Sequence, residues 1–87
     1  VSIKTKTLLD MAILTAYHLV RSGDEFAVHD LFAEKAWSSI CKQGTAGELG
    51  RMFYKFAQTN EGQRIVETLN KRYCTEYDNS LCFYKKK

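Results

Sequence analysis

Few of the 87 residues are of a type and spacing that could do covalent chemistry. His29 and Asp30 are neighbours along the chain, which does not by itself set an imidazole against a carboxylate in acid–base geometry. No nucleophile accompanies them. Cys41, Cys74 and Cys82 make an odd count with no CxxC pair. A tetrahedral zinc site would need a fourth ligand and closer spacing, and only His18 and His29 remain to supply it. No glycine-rich phosphate loop occurs. The expectation is a protein that is not an enzyme and that carries neither metal nor cofactor. What remains is binding chemistry, carried by cations. Arg51, Lys55 and Gln58 share a polar helix face with Glu48, Lys71 and Arg72 lie in a polar stretch, and Lys85, Lys86 and Lys87 end the chain.

The charge is unevenly placed. Five basic and five acidic residues balance within 1–43, whereas eight basic residues face five acidic ones within 44–87. The whole formal excess of +3 therefore equals the terminal Lys85–Lys87 run. Such a run neutralises phosphates, and it also serves as a plain solubilising terminus. With 13% aromatic and 45% hydrophobic residues the chain is neither disordered nor low-complexity. Its length suits one domain over 1–87.

The cysteine count and the lack of an N-x-S/T sequon point to a reducing cytoplasm. Buried, inert thiols are the default, although a Cys74–Cys82 disulfide across a hairpin is conceivable. The apolar stretch Leu8–Val20 is interrupted by Asp10 and His18, lacks a small-x-small cleavage site, and is too short to cross a membrane. Val1 in place of Met points to a processed or trimmed start.

These groups must be positioned by regular elements. Thr7-Leu8-Leu9-Asp10 has the form of a capping box, and Leu9, Ala12, Ile13, Ala16, Leu19 and Val20 recur at spacings of three and four. A first helix is expected from Thr7 to about Ser22, stopped by Gly23. Glu25–Val28 reads as a brief extended piece, His29–Glu34 as a short helix, and Ala36–Ile40 as a further turn or two before the break at Lys42-Gln43-Gly44. A second capping box, Thr45-Ala46-Gly47-Glu48, opens a helix expected to run from Thr45 to Asn60. Leu49, Met52, Phe53, Phe56 and Ala57 form its inward stripe. Arg64–Leu69 and Leu81–Tyr84 read as strands joined across a polar stretch with Asp78-Asn79 at its tip. That hairpin must lean on the helices, and Phe26–Val28 offers it a third strand. Phe26, Phe32, Trp37, Phe53 and Phe56 are expected in the core.

The order helix, short strand, short helix, turn, longer helix, hairpin resembles a winged helix-turn-helix domain. This is an α+β fold of three to four helices followed by a C-terminal β-hairpin. The string Phe26-Ala27-Val28-His29-Asp30-Leu31-Phe32, with Trp37, Ile40, Leu49-Gly50-Arg51-Met52-Phe53 and Tyr84-Lys85, also resembles a family of short, uncharacterised bacterial and phage domains over about residues 24–87. The winged-helix resemblance implies a regulator or accessory factor bound to double-stranded DNA, with the 45–60 helix in the major groove. Arg51 would then meet guanine or phosphate, Lys55 phosphate, and Gln43, Thr45 and Gln58 would hydrogen-bond around the same surface. Ala46 and Gly47 would let the helix start approach a phosphate closely. Lys71 and Arg72 would act from the wing, and Lys85, Lys86 and Lys87 would add sequence-independent attraction. A homodimer reading two half-sites would use the first helix as its contact.

A second reading keeps the fold and drops the DNA. Arg51, Lys55 and Gln58 at this spacing also suit any solvated helix face, and Glu48 and Glu61 dilute the field. The chain would then be a protein-interaction module or phage-type inhibitor, with Tyr54, Tyr73 and Tyr77 meeting the partner.

Overall fold

The computed structural model describes residues 3–74 and 79–87, with the side chains of 4–71 and 81–87. Helix α1 spans Ile3–His18 and strand β1 Glu25–Ala27, followed by a 3-10 turn at Val28–Leu31. Helices α2 (Glu34–Lys42), α3 (Ala46–Ala57) and α4 (Asn60–Ile65) come next, then strands β2 (Val66–Cys74) and β3 (Asn79–Lys86). The sheet is antiparallel in the order β1-β3-β2, so the last strand lies in the middle. This is a small α+β fold, compatible with a winged-helix-like arrangement. The third strand anticipated from Phe26 exists: Phe26 pairs with Tyr84 and Ala27 with Phe83.

The helices cover one face of this sheet. Ala12 and Ala16 of α1, Leu49, Phe53 and Ala57 of α3, and Phe26, Val66 and Tyr84 of the sheet are all buried. Three rings form the centre. Phe53 meets Tyr84 edge-on at 4.9 Å between centroids, and Phe26 sits 6.3 Å from Phe53 and 5.8 Å from Tyr84. Those offset geometries are the favoured ones for aromatic pairs. Phe32 and Trp37 are only partly buried and stack at 6.0 Å beside this cluster.

Several local expectations are corrected. Helix α1 starts before Thr7 and ends at His18, so Thr7 lies inside it and is not its N-cap. Leu19, beyond the end, is 76% exposed instead of joining the inward stripe. Gly23 does take the expected positive φ of 93°, but in the turn into β1, where its N–H donates to the Lys86 carbonyl at 2.7 Å. Gly44 likewise has a φ of 74° between α2 and α3. Thr45 is itself close to helical, at φ −95° and ψ −7°, and its hydroxyl donates to the Ile40 carbonyl at 3.2 Å instead of closing a capping box. An N-cap side chain reaches its amides from an extended backbone, which Thr45 does not have.

The long helix expected over 45–60 is two helices. Helix α3 ends at Ala57, and Thr59, extended at φ −74° and ψ 162°, starts α4 by accepting from Gly62 N–H at 3.0 Å. The same hydroxyl donates to the Phe56 carbonyl at 2.6 Å, locking the corner. The strand expected from Arg64 therefore starts only at Val66. Its register slips by one residue between Thr68 and Lys71, a β-bulge that places Lys71 opposite Cys82. His29 and Asp30 do meet, with Nε2 to Oδ1 at 3.2 Å, and Asp30 Oδ2 also accepts from Ala27 N–H at 2.9 Å. The Asp30 carboxylate thus clamps the 3-10 turn.

Candidate nucleic-acid interface

Helix α3 turns its apolar stripe to the sheet, so the residues between the stripe positions face out. Arg51, Tyr54 and Lys55 are exposed, while Leu49 and Phe53 are buried. The outward face is open to solvent but flanked on its sides. It forms one wall of a groove of about 930 Å³, whose other walls are β2–β3, the 3-10 turn and α2. Arg51 and Lys55 contribute from α3 and Lys71 from β2, with no Asp or Glu among the described lining residues. Three cations line it with no carboxylate beside them among the described residues, and a groove with low-dielectric walls concentrates such a field. The β-bulge matters here, because it turns Lys71 to the same side of the sheet as Cys82 and Tyr84.

The remaining candidates are distributed differently. Ala46 and Gly47 lie in the first turn of α3 and line the groove. An added Cβ at Gly47 would come within 3.7 Å of Arg51 Nη1, so the guanidinium lies back along the helix toward its N-terminus. Gln43 sits in the α2–α3 turn and donates to Ser39 Oγ at 3.3 Å. Thr45 is held by Ile40, as above. Gln58, at the far end of α3, donates to Thr68 Oγ1 at 2.9 Å and ties the helix to β2. Those side-chain bonds make Gln58 and Thr45 parts of the scaffold. The side chains of Arg72 and Tyr73, residue Tyr77 and the expected Asp78-Asn79 tip lie outside the described residues or side chains. Tyr54, 41% exposed, is on the groove wall.

The terminal lysines are not a free tail. Lys85 lies in register between Glu25 and Glu67 on the two flanking strands. Lys86 Nζ donates to the carbonyls of Ala16 at 2.8 Å, Tyr17 at 2.6 Å and Val20 at 3.4 Å, and it sits 5.3 Å from the Tyr17 ring centroid. It thereby satisfies the exposed carbonyls at the negative end of α1. Lys87 N–H donates to the Ile65 carbonyl at 2.9 Å, and its own carbonyl accepts from Ser22 at 2.9 Å. None of the three lines the groove.

Several groove residues have no counterpart in the sequence reading: Trp37, Cys41, Gly50, Cys82 and Tyr84. Tyr84 is 1% exposed, and its hydroxyl lies against the Cys82 thiol with no other partner among the described residues. Burial pushes its phenol well above the ordinary range, and the neighbouring Cys82 thiol adds to the rise. The thiol's own hydrogen is directed to the Leu69 carbonyl at 3.9 Å. Cys82 is a free thiol and faces Lys71 across the strands, so the conceivable Cys74–Cys82 disulfide is not formed.

Among the described residues, no helix is long and apolar enough to cross a membrane. No curated protein and no solved structure matches the chain. A family match covers residues 12–80, from within α1 to within β3. By that span, which is most of its length, the chain belongs to the family described as a domain of unknown function, DUF1413.

Proposed function

We propose that this is a winged-helix DNA-binding protein, a small regulator or accessory factor that lays α3 into the major groove of a duplex with β2–β3 alongside. One observation carries the reading: Arg51, Lys55 and Lys71 flank a single open groove that no carboxylate lines among the described residues. Arg51 has the planar fork that matches guanine O6 and N7 or a phosphate, and Lys55 and Lys71 act as point charges on phosphates. The free Cys41 and Cys82 support a reducing compartment such as the cytoplasm.

Duplex titrations at several salt concentrations test this. Arg51→Ala is expected to weaken binding roughly 5- to 150-fold, and Lys55→Ala to lower the salt slope by about one. Lys87→Gln is expected to leave both nearly unchanged. Absence of duplex binding at low salt, or equal losses from all three variants, would remove the groove from the account.

A protein contact is favoured by a different face. Met11, Leu14 and Tyr17 on the outer side of α1 are each more than half exposed. Apolar side chains of that size grouped on one helix suit a second copy of the chain, as a reader of two half-sites would need. Met11→Lys combined with Leu14→Lys is expected to halve the mass seen by sedimentation at about 100 μM while leaving the fold intact. A wild-type chain that sediments as a monomer at that concentration rules the dimer out.

A further inference from the structure

We infer that the same groove also takes a small organic anion with a flat apolar body, as an effector bound separately from any nucleic acid. The volume of about 930 Å³ falls in the range of small-molecule sites. An added Cβ at Gly50 would meet nothing within 4 Å. A glycine inside a helix is unfavourable relative to alanine, and here no atom of the described residues uses the space it leaves.

The walls hold unused hydrogen-bonding capacity. Trp37 Nε1, from a groove residue, is buried with no partner among the described residues, and the buried Tyr84 hydroxyl has only the Cys82 thiol beside it. A buried polar atom left unpaired is uncommon and unfavourable, and a thiol is a weak partner for a phenol, so both donors point to an acceptor brought from outside. Arg51, Lys55 and Lys71 set the sign of the ligand, and the rings of Trp37 and Tyr54 set its shape. A carboxylate or comparable anionic group on an aromatic ring satisfies all of these features. The inference does not depend on the DNA reading.

The test uses 1-naphthoate on the full chain, followed by NMR at the indole N–H of Trp37, the sole tryptophan. A saturable shift with a Kd below about 1 mM is expected, with neutral 1-naphthalenemethanol and inorganic phosphate each at least roughly tenfold weaker. Tyr84→Phe keeps the ring and removes the donor, and is expected to weaken naphthoate about fivefold or more. Gly50→Ala is expected to raise the melting temperature while it weakens naphthoate, which separates site filling from unfolding. Equal shifts from the acid and the alcohol, no shift at about 10 mM, or wild-type affinity in both variants overturns the inference. None of these outcomes bears on duplex binding, which the salt titrations decide.

Discussion

Gly62→Ala is expected to lower the melting temperature by roughly 10–25 °C, read by thermal circular dichroism. Gly62 is buried at the corner where α3 gives way to α4. A Cβ there would collide with the Phe56 carbonyl oxygen, and would lie 2.7 Å from Phe56 C and 2.8 Å from Ala57 Cα. All three are backbone atoms, so no side chain can rotate away. Either α3 or α4 must shift, and with it Phe53 and Ala57, which lie at the centre of the core. Overpacking of this kind costs about 3 kcal/mol. Each kcal/mol moves the midpoint of a domain this size by about 4–8 °C. Gly50→Ala, with open space around it, is the matched control and should not destabilise. A Gly62→Ala protein that melts within about 3 °C of wild type would mean that the two helices do not meet at this corner.

Lys86→Met should cost about 2 kcal/mol, with a midpoint lower by roughly 8–16 °C. The substitution keeps most of the apolar stem and removes an ammonium that three carbonyls at the end of α1 share. Charged hydrogen bonds and the favourable cation at a helix C-terminus both go. Lys85→Met and Lys87→Met should each stay within about 0.5 kcal/mol of wild type. Equal losses from the three would show that position 86 is not special. The same geometry changes how the basic terminus should be tested. Deleting Lys85–Lys87 removes the α1 clasp, part of the β1–β3 pairing and the Ser22 bond together, so single substitutions are the cleaner measure of charge.

The parts of this architecture legible in the sequence are those with a dominant period. Leu49, Phe53 and Ala57 advance at one helical repeat and all are buried. Phe26 could be paired with a C-terminal strand because a two-stranded hairpin needs support. Helix α4 was hidden by its own composition, since Ile65 and Val66 are β-branched neighbours at the helix–strand boundary. The clue available was Thr59 before Asn60 and Glu61, an N-cap followed by an acid. Thr7 and Thr45 showed stronger patterns, yet Thr7 is not an N-cap and Thr45 makes no side-chain cap bond, because the pattern does not reveal whether the threonine's own backbone is extended. At the groove, Arg51, Lys55 and Lys71 could be read from charge. Their convergence could not, because it depends on a one-residue bulge. Tyr84 and Trp37 reach the site only through strand order and tertiary packing, which no local spacing encodes.

The middle position of β3 has a further consequence, for the chain as it is made. Strand β1 finds its partner only at Phe83, Tyr84 and Lys85, about two thirds of the chain later. At about 5–20 residues per second, Phe26 would wait roughly 3–12 s on the ribosome for the strand that covers it. Until then the helices can gather loosely, but the ring cluster lacks Tyr84 and α1 lacks its clasp. Folding should therefore close late and all at once, paced by these long-range pairings, with an unpaired edge exposed to other nascent chains in the interval.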